Sequence, residues 1–225
     1  MSNLILRTVL GFAFLMLVLA LALFIPAGSL AFWQAWVYLA TFAGCTLLIT
    51  LYLARYDPSL LAGRVQAGPL AETQRSQQII QSLASLFFVL LYIVAGLDFR
   101  FGWTTLPPVV SLVADGFVIL GFGIVFLVFR ENRFTRATIG VTVEQTVVTS
   151  GPYRVVRHPM YAGALVMLLA TPLALGSWMA LPFPLPLIVV IAVRARAEER
   201  FLTANLAGYA QYCQQVRYRL APYIW

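Results

Sequence analysis

Residues 8–54 contain no charged side chain. Nothing else in this chain restricts its fold as much. A segment that long with a wet face would carry charges every few positions. About 20 apolar residues cross the hydrocarbon core of a bilayer as a helix, where every backbone group must be bonded within its own segment. The run is long enough for two such helices, and Pro26-Ala27-Gly28-Ser29 supplies a turn between them. The pattern predicts spans at about 5–25 and 31–53. Arg7 followed by apolar residues also fits the start of a signal peptide. The run is long and lacks a clear small-residue cleavage site, so it reads as a retained anchor.

The rest of the chain alternates in the same way. Apolar residues make up 61% of it and charged residues 10%, against about 25% charged in a soluble domain. A polar loop at 54–78 precedes a third span at about 79–97. Asp98, Arg100 and Pro107-Pro108 mark a short connection to a fourth span at about 109–129. Asp115 falls just inside that span and reads as a solvated aspartate near the helix N-terminus, where the dipole favours it. Residues 130–158 are polar again, and their TIGVTVEQTVVTSG stretch is rich enough in β-branched residues for an extended or hairpin element. Residues 159–193 are uncharged, too long for one crossing and short for two. Thr171-Pro172, Pro182, Pro184 and Pro186 interrupt them, which predicts a tight helical hairpin with arms at about 159–173 and 179–195. The expected fold is an all-α polytopic membrane protein of about six membrane helices. The last two form the short hairpin, and an amphipathic C-terminal tail follows.

Charge sets the orientation. The formal net charge is +7, and all 15 basic residues are arginine. With the N-terminus in the cytoplasm, both polar segments and the tail are cytoplasmic and only Arg100 lies outside, as the positive-inside rule favours. We therefore expect a multi-pass protein with both termini cytoplasmic, in a bacterial inner membrane. Cys45, Cys213 and the single His158 cannot build a tetrahedral zinc site without carboxylates. No metal and no structural disulfide are expected.

The polar chemistry concentrates in GPYRVVRHPMYAG, residues 151–163. Proline suits the first position of a helix, where its missing N–H costs nothing. A helix should therefore begin at Pro159, with His158 near its N-cap and Gly151-Pro152 forming a turn before it. The unpaired amides and the positive end of the dipole, beside Arg154 and Arg157, then make a place for a carboxylate or phosphate. In the tail, Leu202, Leu206, Tyr209, Cys213 and Val216 recur at helical spacing, and Gly208 should break that helix in two. Glu198 and Glu199 sit at the mouth of the hairpin. They can pair with Arg194, Arg196 or Arg200 along one helix, or hold an ammonium group or a ribose.

Arg157-His158-Pro159, Tyr161 and Gly163, then Glu198, Glu199 and Leu202, then Tyr209 and Tyr212 and an Arg-containing end, stand in that order around a short hairpin. In this order they resemble the isoprenylcysteine carboxyl methyltransferase family, which is related to membrane phospholipid N-methyltransferases. The resemblance covers about 130–225. It implies S-adenosyl-L-methionine bound in a cytosol-facing pocket made by the last helices and the tail. It divides the chain into N-terminal membrane helices, 1–108, and a methyltransferase-like catalytic region, 109–225. No GxGxxG follows a strand here, and the implied pocket is not a soluble Rossmann domain.

The residue types suit that cofactor. Arg157 and the helix start at Pro159 can take its carboxylate, and Glu198 its ammonium or ribose. Tyr153, Tyr161, Tyr209 and Tyr212 can offer aromatic faces to adenine or to the sulfonium. His158 and Gly163 complete the expected cofactor site, and Glu199 and His158 are the candidate catalytic groups should the acceptor need a base. Asn132, in Arg130-Glu131-Asn132-Arg133-Phe134, is a weaker candidate for cofactor or substrate. The expected partners are the bilayer and a hydrophobic or lipidic methyl acceptor carrying a carboxylate, amine or thiol. Nothing calls for nucleic acid, and the oligomeric state is open. Two rivals remain: an NADPH-dependent reductase of the steroid-reductase type, and a small transporter or lipid-binding protein without chemistry.

Overall fold

The computed structural model describes residues 2–65, 75–135, 140–141 and 144–225. Its elements are α1 (Ser2–Ala27), α2 (Trp33–Tyr56), α3 (Pro58–Val65), α4 (Arg75–Phe101), α5 (Pro108–Glu131), a 3₁₀ turn (Gly151–Arg154), α6 (Pro159–Ala174), α7 (Pro184–Asn205) and α8 (Tyr209–Gln215). The described residues contain no strand. The expected extended element, 138–151, falls partly outside them, at 138–139 and 142–143, and its described remainder contains no strand.

Among the described residues four helices are long and apolar enough to cross a membrane: Asn3–Ala27, Trp33–Tyr56, Gln77–Phe101 and Pro108–Glu131. They follow the four long apolar runs, because length with almost no charge is the signal. Two boundaries differ from expectation. The polar loop after α2 contains an eight-residue helix, α3. Asp57 starts it, its Oδ1 accepting the Leu60 amide at 3.0 Å and the Ser59 hydroxyl. The third span begins earlier than expected, since α4 is already helical at Arg75.

The first arm of the hairpin is shorter than the four long helices. α6 has 16 residues, roughly 24 Å at 1.5 Å per residue. The second arm starts at Pro184 rather than near 179, after the turns around Gly176, whose φ is +70°. Two buried contacts nevertheless register the hairpin along α4. At its tip Ser177 donates to Asp98, and near its base Arg194 Nη1 donates to Gln77 Oε1 at 3.2 Å. The hairpin thus runs beside α4 from residue 98 to residue 77.

The main core gathers Leu19 and Leu23 of α1, Phe32, Tyr38 of α2, Leu91 and Tyr92 of α4, Ala114 and Val118 of α5, and Ala170 and Ala174 of α6. It draws on both halves of the chain. α5 and α6 cross closely because both carry glycine at the crossing. A Cβ on Gly163 would stand 2.8 Å from the Gly121 carbonyl oxygen, and one on Gly121 would stand 2.4 Å from Met167 Cγ.

Asp115 is not solvated. It is 5% exposed, and neither carboxylate oxygen has a hydrogen-bond partner among the described residues. Helix α5 begins at Pro108, which sets Asp115 about two turns in, on the face that α6 and the core cover.

Candidate active site

Helix α6 starts at Pro159, with His158 at the N-cap position. The histidine side chain makes no cap bond. The two residues before the helix are held from the tail: the Arg157 and His158 amides donate to the Tyr218 and Arg219 carbonyls, each at 2.9 Å. This frees the imidazole to turn inward. Its Nε2 lies 3.3 Å from Glu199 Oε1 and its Nδ1 3.9 Å from Glu198 Oε2. Its ring stacks on Tyr161, with centroids 5.5 Å apart.

The two glutamates differ although they are adjacent. Glu199 is 8% exposed and ion-paired with Arg157 Nε at 3.2 Å and Arg219 Nε at 2.9 Å. Burial works to raise its pKa. The hydrogen bonds from His158 and Arg219 and the charge of Arg157 outweigh burial and hold the carboxyl below its ordinary value. Glu198 accepts the Tyr161 hydroxyl at 2.8 Å, and that same hydroxyl accepts Arg194 Nε at 3.1 Å. The expected pairing of both glutamates with arginines of their own helix is replaced, for Glu199, by pairing with Arg157 and with Arg219 of the tail.

These groups face a cavity of about 410 Å³, within the range of small-ligand sites. Tyr153, Arg157, His158, Pro159, Tyr161, Glu198, Tyr209 and Tyr212 all line it, as does Asn132. Asn132 caps the end of α5: its Oδ1 accepts the Phe134 amide at 2.9 Å and its Nδ2 donates to the Tyr153 hydroxyl at 2.9 Å. The Tyr212 hydroxyl donates to the Tyr153 carbonyl at 2.8 Å. Gly151, with φ +55°, lets the chain double back against Glu131, whose carboxylate accepts the Ser150 hydroxyl. Gly208, with φ +83°, turns the tail so that α8 returns Tyr209 and Tyr212 to the cavity. Leu206, Tyr209 and Tyr212 then pack on Val147 and Tyr153. Burial pushes the hydroxyls of Tyr153, Tyr209 and Tyr212 well above the ordinary tyrosine range, so they are neutral donors.

Two of the expected residues stand elsewhere. Gly163 packs against Gly121 of α5 and does not line the cavity. The close crossing of α5 turns Gly163 to the helix–helix interface, while Ala164 beside it faces the cavity. Glu199 stands behind the wall, holding Arg157, His158 and Arg219 together. Conversely, Arg64, Ile80, Gln81 and Arg194 line the cavity without having been expected there. Arg194 could have been noticed as the first charge after an apolar arm. Arg64 carries no such signal, since it sits in a polar loop among other polar residues. Among the described residues no group of three or more His, Cys, Asp or Glu could hold a metal ion.

The cavity thus presents a helix start, arginines, a carboxylate and several aromatic faces. Residues 109–207 match the family model of phospholipid methyltransferase. This is the family of isoprenylcysteine-carboxyl-methyltransferase-like membrane methyltransferases, and its members generally use S-adenosylmethionine. The match takes in α5, α6, α7 and the cavity-lining residues from Asn132 to Leu206, but not Arg64, Ile80, Gln81 and Ala84. The chain is also 33% identical to the Delta(14)-sterol reductase of Mus musculus over 43% of its own length. It spans about a quarter, 25%, of the length of that curated relative.

Proposed function

We propose that the chain is an integral membrane methyltransferase that binds S-adenosyl-L-methionine in the cavity above α6 and methylates a lipidic or hydrophobic acceptor. The observation that carries this reading is the convergence of Tyr153, Arg157, His158, Pro159, Tyr161, Glu198, Tyr209 and Tyr212 on one cavity, inside a region that matches a membrane methyltransferase family. The donor set fits the cofactor: guanidinium and helix-start amides suit its carboxylate, Glu198 its ammonium or ribose, and the tyrosine faces its adenine and sulfonium. When bound, the cofactor supplies a methyl group on a positively charged sulfur.

The protein's share of the chemistry is binding, alignment and exclusion of water. Arg157 is held in place by Glu199 and by the Arg217 carbonyl, 3.2 Å from Nη2. Tyr161 holds Glu198 toward the cavity. Glu199 is tied to three cationic or ring groups and held in its ionised form, which makes it a positioning residue. His158, on the cavity wall, is the group placed to take a proton from an acceptor that needs to lose one. In Glu199→Gln we accordingly expect weaker cofactor binding together with slower turnover, with no loss confined to turnover.

The topology we propose has both termini in the cytoplasm and six crossings, the hairpin being the last two. The arginine distribution supports it, as does the register of the hairpin along α4. The similarity to a sterol reductase favours one second reading, an NADPH-dependent reductase. Competition between the two nucleotides separates them. On the proposed reading S-adenosylhomocysteine displaces bound labelled S-adenosylmethionine and NADPH does not. Saturable binding of NADPH alone would replace the methyltransferase reading with the reductase.

A further inference from the structure

The family match ends at residue 207, and a closed turn of the tail beyond it, residues 219–225, lines no part of the cavity. After α8 the chain passes the start of α6, where the Tyr218 and Arg219 carbonyls accept the Arg157 and His158 amides. It then folds back on itself. The Trp225 carbonyl accepts the amides of Arg219, Leu220 and Ala221 at 2.8, 3.1 and 3.4 Å. The amides of Ile224 and Trp225 return to the Ala221 carbonyl, each at 3.2 Å. Tyr223, with φ +64°, makes the reversal. Among the described residues it is the only non-glycine in the left-handed region, a conformation that persists where the surroundings impose it.

This turn fixes Arg219 through both backbone and side chain. Its amide is bonded to Trp225 and its carbonyl to His158. Its guanidinium lies 5.2 Å from the centre of the Trp225 ring, and its Nε donates to Glu199 Oε2 at 2.9 Å. The same ring carries a second guanidinium, that of Arg196, at 5.3 Å. Arg196 and Glu199 stand three residues apart on α7, so one side of that helix presents both to the tail. The indole thereby joins tail to helix: two cations that would repel each other are both attracted to one ring. Glu199 in turn pairs with Arg157 Nε at 3.2 Å and His158 Nε2 at 3.3 Å, and both of those residues line the cavity. A buried carboxylate that loses one of its cations is left under-compensated. Loss of Arg219 from Glu199 would therefore disturb the pair on the cavity wall.

On the methyltransferase reading above, we propose that Trp225 is a positioning residue for the cofactor site. Its indole holds Arg219 against Glu199, and through that carboxylate it holds Arg157 and His158 in the arrangement that binds. Without the indole, Arg219 leaves Glu199 part of the time and the binding-competent fraction of the molecule falls. Apparent cofactor affinity falls by the same factor. What Arg196 and Arg219 require at this position is an aromatic face, which an aliphatic side chain of similar bulk does not supply.

The test uses the full chain in neutral detergent and two readouts. One is S-adenosylmethionine affinity by calorimetry. The other needs no cofactor. His158 is buried and is the only histidine, so the rate of its modification by diethylpyrocarbonate, followed on the peptide that carries it, reports how well the wall is held. Trp225→Ala should weaken cofactor binding and speed His158 modification, each about fivefold, the worth of a half-exposed cation–π contact. Trp225→Phe should stay within about twofold of the parent, and Trp225→Leu should behave as the alanine variant does. Arg219→Gln should match Trp225→Ala, and the two together should do little more than either alone, because both act through one contact. Parent-like values of both readouts in folded Trp225→Ala overturn the proposal, as do effects of Trp225→Ala and Arg219→Gln that simply add. Equal behaviour of Trp225→Phe and Trp225→Leu overturns it even if Trp225→Ala does not fold. A parent that binds no S-adenosylmethionine, while His158 modification follows the expected order, would overturn the methyltransferase reading and leave the positioning of His158 by Trp225 standing.

Discussion

At the far end of the seam between α4 and the hairpin, Asp98 is 1% exposed and fully engaged. Its carboxylate accepts the Thr104 amide at 2.8 Å, the Thr104 hydroxyl at 2.6 Å and the Ser177 hydroxyl. At the near end Gln77, Arg194, Tyr161 and Glu198 form a chain of similar bonds. Both ends tie the same helix to the same hairpin through buried polar groups. At the far end short side chains close on the carboxylate. At the near end long ones, Arg194 and Glu198, hold each other through a tyrosine and still front a cavity. A buried polar cluster that closes on itself stabilises the fold. One that lines a cavity of about 410 Å³ is placed to bind.

Separate substitutions at the two ends would break this contrast if they acted alike. The largest effect is expected at the near end. Glu198→Ala should weaken S-adenosylmethionine binding by about 100-fold, the worth of a charged hydrogen-bond partner, with thermal stability little changed. Comparable binding in parent and variant would remove Glu198 from the cofactor site. Next, Asp98→Ala should cost about 2–4 kcal/mol of stability, because it strips partners from Thr104 and Ser177. Denaturant unfolding in mild detergent reads this, and cofactor affinity should stay where it was. Gly163→Ala should cost about 1–3 kcal/mol by overpacking the α5–α6 crossing. An unaltered unfolding midpoint would show that the crossing has slack. The smallest effect concerns acid. Glu199 has a lowered folded-state pKa, so its contribution is present above the unfolded value of about 4.5 and is lost as pH falls below it. Unfolding followed from pH 6 to pH 3 should show a steeper acid limb in the parent than in Glu199→Gln; parallel limbs would contradict the pairing with Arg157 and Arg219.

The four long helices were legible because an uncharged run needs no phase to be recognised. The start of α6 was legible from Pro159, and the break before α8 from Gly208, since each residue acts on its own backbone. Helix α3 was not, because eight residues give barely two turns of pattern. Asp115 and Gly163 were misplaced for a shared reason. Which face of an apolar helix meets a neighbour depends on the neighbour, and an all-apolar helix carries no stripe to show it. The part of the cavity lining that was readable clusters around one proline and the glutamate pair. Arg64 and Gln77 come from helices distant in sequence, and only the tertiary fold brings them to the site.

The most direct test is a calorimetric titration of S-adenosylmethionine into the detergent-purified chain, run beside Glu198→Ala and Asp98→Asn. The account expects micromolar binding in the parent, loss in Glu198→Ala and retention in Asp98→Asn. A folded parent that takes up no cofactor, or equal loss in both variants, would contradict it.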